Sequence, residues 1–345
     1  MGIPLTNDQK LAKRPSINDV AREAGVSKSA VSKVLRNSYG VSPGMREKVE
    51  SAIERLGYRP RMGARTMRGR SNVIGVEIPQ MGNDFFTQVI CGIQERLEGT
   101  GFTVMIAPAS TDQHCEEALN SLVDHQVDGI IAISPDVTPE FLNGIAAFLP
   151  LVMLGRQDTS LSYDVIVGDD EVGTEAVMSH LFELGHTDIT HLTVVPAYDR
   201  PDARQSHPRR NETYRRLMEE KGLEPRLAIT GPTVENAYEA GILALSASPR
   251  PTAIFCGNDT LAVGALKALA DLGISRSEVT VVGYDDIEIA SHPLFALTTV
   301  NQFGAQMGRK AVELLLERIE GQRSTSTSVK ITPALRRRTS HKISG

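Results

Sequence analysis

The sequence contains no tryptophan, only 5% aromatic residues, and 3 cysteines in 345 positions. With so few rings, a core has to be built mainly from aliphatic side chains. The cysteines, Cys91, Cys115 and Cys256, are odd in number and widely scattered. They match neither a metal-ligand spacing nor a disulfide framework. No apolar run approaches the length that spans a bilayer. The stretch from Met1 to Arg14 is polar and lacks the apolar segment of a secretion signal. These absences point to a cytoplasmic protein with no membrane partner. Also missing are a Walker loop, Gly-x-Gly-x-x-Gly, Gly-x-Ser-x-Gly and a paired His-Glu zinc helix. The acidic pairs Asp169/Asp170 and Asp285/Asp286 have no nucleophile or cofactor loop to work with. The expectation is a protein that is not an enzyme and holds no cofactor and no metal.

What is present is an uneven charge. Residues 1–72 carry 15 Lys/Arg and 6 Asp/Glu, a net +9, while the rest of the chain carries −14. A basic head on an acidic body is the footprint of a polyanion-binding module joined to something else. At 345 residues the chain is long enough for two or three compact units.

The head reads as helix, turn, helix. Ser16 is a candidate cap with Asp19 in the first turn behind it. Ile17, Val20, Ala21 and Ala24 share one face, and Gly25 stops the helix. Ser27 caps a second helix whose buried side is Ala30, Val31, Val34 and Leu35. A third begins at Ser42-Pro43, runs through Val49, Ile53 and Leu56, and ends at Gly57. Two short helices, a turn containing Gly and small residues at the contact form the helix-turn-helix signature. Residues at the start of the second helix of that motif reach base edges in the major groove. Lys28, Ser29 and Lys33 are therefore expected to read bases, and Ser27, Ser32 and Arg36 to hold the DNA backbone. An ordinary helical hairpin with a solvated basic face is the plainer alternative.

The strings Asp19-Val20-Ala21, Ala24-Gly25-Val26-Ser27, Val31-Ser32, Arg46-Glu47-Lys48-Val49 and Leu56-Gly57-Tyr58-Arg59-Pro60 resemble the head of the LacI/GalR family of repressors. That resemblance implies a homodimer on a near-palindromic operator, with two-fold protein symmetry mirrored in the DNA. It implies a hinge over residues 61–71 that enters the minor groove. There Ala64 and Met67 are the expected groove contacts, Met67 as the wedge, and Arg65 touches the backbone. It implies, too, that Arg210 is an effector-binding arginine. No heptad segment follows the body, which favours a dimer over a tetramer.

From Asn72 onward short β-branched runs alternate with helical stretches, the pattern of parallel, doubly wound α/β sheets. The whole is read as an α+α/β chain. Residues 1–14 are a disordered arm, 15–60 the helix-turn-helix domain, 61–71 the hinge, and 72–345 an effector-binding and dimerisation body. The body resembles a two-lobed periplasmic binding protein. Lobe one is expected at 72–165 and 294–326, lobe two at 166–293 and 327–345, with crossings near 164–168, 291–296 and 325–329.

Ligands of such sheets bind beyond the carboxyl ends of the strands. Phe85 follows the first strand, Arg156 follows Leu151–Leu154, Asp169 follows Val165–Val167, Asn258 follows Ile254–Cys256, and Asp285 follows Val281–Gly283. With Arg210 these form the expected effector site. Phe85 is suited to stack on a ring, the guanidinium to grip paired oxygens, and Asn258 and Asp285 to bond hydroxyls. A sugar fits that set, and Arg156 beside Arg210 would suit a sugar acid or a sugar phosphate. A non-sugar metabolite or a protein partner is the alternative occupant. Asn and Asp after strands also cap helices, and for Asp259 that structural role is favoured.

Overall fold

The structure, a computed structural model, describes residues 15–35, 39–58, 70–109, 114–158, 160–194 and 205–338. The chain parts into two compact units, Met1–Ser71 and Asn72–Gly345. Among its described residues the first holds the helices α1 (Ile17–Ala24), α2 (Lys28–Leu35) and α3 (Pro43–Leu56). Ser16 and Asp19 close a reciprocal capping box on α1, and Ser42 caps α3 ahead of Pro43. Val20, Val31, Val34, Val49 and Ala52 are buried together as the small core, with Tyr58 packed on it. An Arg55–Glu23 ion pair of 3.2 Å also joins α3 to α1.

The second unit begins with a six-stranded sheet. Its strands are β1 (Val73–Ile78), β2 (Thr103–Pro108), β3 (Gly129–Ile133), β4 (Leu151–Leu154), β5 (Asp164–Gly168) and β11 (Ser328–Ile331). The order is β11-β5-β4-β3-β1-β2, parallel throughout. Helices α4 (Asp84–Leu97) and α11 (Gly304–Ile319) cover one face, and α5 (Cys115–Asp124) and α6 (Pro139–Ala146) the other. Two glycines let α4 and α11 touch backbone to backbone. A Cβ on Gly92 would stand 2.0 Å from the Ala305 carbonyl oxygen, and one on Gly308 2.1 Å from that of Val89.

The second sheet has the order β7-β6-β8-β9, again parallel, from β6 (Ile189–Val194), β7 (Arg226–Thr230), β8 (Ala253–Cys256) and β9 (Thr280–Val282). One face carries α7 (Asp170–Glu183) and α8 (Ser206–Glu220), the other α9 (Val234–Leu245) and α10 (Asp259–Asp271). A bridge from Val282 to Thr298 adds β10 (Thr299–Asn301), which pairs antiparallel with β12 (Ala334–Arg336).

Three expectations about the lobes need correction. Residues 166–168 and 327–331 were assigned to lobe two, but β11 pairs with β5, and β5 with β4, inside the first sheet. Residues 298–301 were assigned to lobe one, but β10 lies beside β9 in the second. The chain thus crosses after β5, after β10 and after β11, because a strand ends where its sheet partners end. The strands β7, β10 and β12 were also unforeseen. The arm 1–14 and most of the hinge lie outside the described residues.

Candidate functional site

Ser27, just before α2, and Lys28, Ser29 and Lys33 on it are exposed. The Ser27 hydroxyl accepts from the Ala30 amide at 3.1 Å and bonds the Ser29 hydroxyl at 2.8 Å, so the cap and the expected reader form one polar turn. Ser32 corrects the expectation, since it is buried at 3% exposure on the core side of α2 beside Val31 and has little surface to offer a phosphate. Arg36, Ala64, Arg65 and Met67 lie outside the described residues.

Between the two sheets of the body is a cavity of about 350 Å³. Its wall brings together Phe85, Arg210, Asn258 and Asp285 from four separate segments. Phe85 stands at the start of α4 and meets Phe86 edge to face, centroids 5.9 Å apart. Arg210, on α8, donates from Nε to Asp170 at 2.8 Å and from Nη1 to the Gly257 carbonyl, and lies 3.7 Å over the Tyr284 ring. Burial opposes its charge, but the carboxylates of Asp170 and Asp285 outweigh that and raise its pKa. Asn258 caps α10 through Oδ1, which accepts from the Leu261 amide at 2.9 Å.

Asp285 is the most constrained of the four. It is 3% exposed and holds φ at 114°. Its carboxylate accepts from Gln302 Nε2 at 2.5 Å and from the side chain of Asn83. Burial pushes its pKa up to about 7, against the lowering pull of Arg210. Asp285 belongs to lobe two, Asn83 caps α4 of lobe one, and Gln302 sits on the crossing. One carboxylate therefore ties three parts of the body.

Two expected site residues do not line this cavity. Arg156 is buried at 6% exposure, and its donors are taken by Asp158 and by the Pro135 and Val137 carbonyls. Asp169 caps α7, accepting from Val172, and pairs with Lys330 at 3.1 Å. Other wall residues were missed. His207 is half-buried, and its pKa is shifted down to about 3 by desolvation and by Arg210. Its spacing of three from Arg210 on one helix was the available signal. Gln302, directly after β10, marks the missed crossing. Asp259 does not cap α10; its carboxylate accepts from the Thr299 hydroxyl at 2.6 Å and the Ile287 amide at 2.9 Å. Among the described residues no group of three or more His, Cys, Asp and Glu is arranged to hold a metal, and no helix is long and apolar enough to cross a membrane.

Comparison with known proteins adds the family. Residues 16–61 match the model of bacterial regulatory proteins of the lacI family, and residues 178–341 that of a periplasmic binding protein-like domain. The ribose operon repressor of Haemophilus influenzae is 30% identical over 330 residues, 92% of this chain and 96% of that one. The chain belongs to the lacI family. The transcriptional repressor PurR of Vibrio campbellii is 31% identical over 332 residues, 93% of this chain and 96% of its own. Among solved structures, the lac repressor dimer bound to operator and the anti-inducer ONPF superposes with a TM-score of 0.77 at 26% identity, covering 96% of this chain and 100% of that one. The regulator CelR in complex with cellobiose gives 0.68 at 26% identity, covering 95% and 100%. This lacI-family chain thus has a helix-turn-helix head and a two-lobed α/β body with parallel sheets.

Proposed function

We propose that this protein is a transcriptional repressor that binds a near-palindromic operator as a homodimer, and that its body senses a small, neutral, hydroxyl-rich ring. The observation that carries the effector reading is the cavity of about 350 Å³ whose wall joins an aromatic face, a guanidinium, an amide and a carboxylate. Those groups suit a ring edged with hydroxyls. Charge narrows the class. Arg210 is matched by Asp170, Asp285 and Asp136 add acid to the wall, and Arg156 adds no base to it. A sugar acid or sugar phosphate would bring a further anion to these carboxylates at a desolvation cost. A neutral sugar is therefore favoured over both. The relative named ribose operon repressor and the cellobiose complex of CelR agree with that chemistry. Lys28, Ser29 and Lys33 read bases in this proposal, and Met67 wedges the minor groove. The cleft is read as a sensor without turnover, because its buried carboxylates are engaged in holding Arg210 and Gln302.

The test is a thermal-shift screen with D-ribose, cellobiose, D-gluconate, ribose 5-phosphate and hypoxanthine. A binder at a hundred times its Kd adds about 2.7 kcal/mol of stability. The expected result is a shift with a neutral sugar that disappears in Phe85→Ala and in Arg210→Ala. A shift confined to the anionic compounds or to hypoxanthine would overturn the neutral-sugar reading. No shift at all would favour another metabolite or a protein partner.

A further inference from the structure

Arg156 is a buried cation that the effector site does not use. Its Nη1 donates to the carbonyls of Pro135 at 2.8 Å and Val137 at 2.7 Å, while Nη2 and Nε grip the Asp158 carboxylate at 2.6 Å and 3.0 Å. Asp158 also accepts from the hydroxyl of the fully buried Tyr163 at 2.5 Å. A buried pair whose donors are this fully met is rigid, and removing one partner strands the other charge. The backbone next to it is equally restricted. Gly155 holds φ at +79°, and a Cβ there would stand 2.3 Å from the Ser134 hydroxyl.

That restrained backbone meets the other lobe. Arg156 forms an antiparallel bridge with Gln205, and the Ser206 hydroxyl donates to the Gly155 carbonyl at 3.4 Å. Ser206 is the first residue of α8, the helix that carries His207 and Arg210 into the cavity wall.

We infer that the Arg156–Asp158–Tyr163 cluster anchors an inter-lobe latch, holding the 155–156 backbone where Gln205 and Ser206 grip it. Arg156 is a positioning residue: it sets the seating of α8 against lobe one without touching the effector. The latch consists only of the chain's own atoms, so it needs no bound molecule to form. Its bearing on effector affinity rests on the reading of the cleft given above, but the latch itself does not.

The test is pulsed electron paramagnetic resonance on the full chain without added ligand. Spin labels go on Phe148→Cys in lobe one and Leu294→Cys in lobe two, both exposed, in a Cys91→Ser background. Dilution with unlabelled protein removes distances between protomers. The parent is expected to give one narrow distance. Arg156→Ala is expected to add a longer, broader component. Arg156→Lys, which keeps the charge but cannot serve both carbonyls and Asp158, is expected to fall between, as is Ser206→Ala. Arg318→Ala is the control for a purely structural loss. It breaks a 2.8 Å pair with the buried Asp164, outside the cavity wall, and is expected to lower the melting temperature with the distance unchanged. Parent-like distances in Arg156→Lys and Ser206→Ala, or equal broadening in Arg318→Ala, would overturn the latch. Arg156→Lys and Ser206→Ala keep the test decisive if Arg156→Ala does not fold.

Discussion

Glu77 is a carboxylic acid in the middle of a sheet. It points to the face of Val73 rather than of Ile74 and Val76, and it is flanked across the ladder by Ala107 and Ala132, whose small side chains leave it room. One oxygen accepts from the Ile133 amide at 3.2 Å, and the other has no hydrogen-bond partner among the described residues. Burial pushes its pKa up to about 8. The folded state therefore binds this proton more tightly than the unfolded chain, and the stability it lends is lost as pH rises through 8. Asp285, pushed up to about 7, acts in the same direction, whereas His191, lowered to about 4 by burial, destabilises only as pH falls below 6.5. Comparison of Glu77→Gln with the parent isolates one term. The variant should gain on the parent from pH 5 to pH 9, by at most about 1.4 kcal/mol per pH unit. Melting curves across that range check it, and a difference independent of pH would mean Glu77 is not the group that titrates. Legibility at this scale depends on how local the cause is. Arg210, Asn258 and Asp285 were readable because a strand end or a motif position locates them. Arg156 was misread because its partners, the carbonyls of Pro135 and Val137, lie about twenty residues away and belong to no pattern.

At the scale of elements, the helices of the head were legible nearly to the residue. Ser16, Ser42 and Pro43 act within four positions of themselves, so their signals need no tertiary knowledge. The strands β10 and β12, three residues each, carry no such signal and exist only because they pair with each other beside β9. The element whose sequence bears most directly on function is α2. Its exposed face offers two lysines, Lys28 at the start and Lys33 in the last turn, and lysine in the major groove favours the O6 and N7 acceptors of guanine. Lys28→Ala should then cost about 1–3 kcal/mol on an operator selected from random DNA and relax the preference at one base pair of each half-site. Non-specific binding should change little. Fluorescence anisotropy on selected and scrambled duplexes measures both. An equal loss on the two would make Lys28 a phosphate contact.

For the whole molecule, the parallel α/β sheets were legible from alternation and the two lobes from the family resemblance, but the crossings were not, because β11 joins β5 across more than 150 residues of chain. What the sequence carries without any pairing is the charge. Residues 1–72 have a net charge of +9 and the remainder −14. DNA attracts the first and repels the second, so approach by the head is favoured from a distance comparable to the Debye length, about 8 Å at physiological salt. The attraction is a release of counterions, and it makes affinity fall with salt by a slope of about 0.9 for each phosphate neutralised. Two heads of this charge on one operator are expected to engage at least six phosphates. Operator affinity should then drop by about 10³-fold or more between 50 and 200 mM salt. Lys28→Ala, as a base contact, should leave that slope unchanged. Anisotropy titrations at four salt concentrations give both slopes. A parent slope near zero would remove the head from the DNA backbone altogether, whatever α2 does with the bases. A slope reduced by about one in Lys28→Ala would instead return Lys28 to the phosphates.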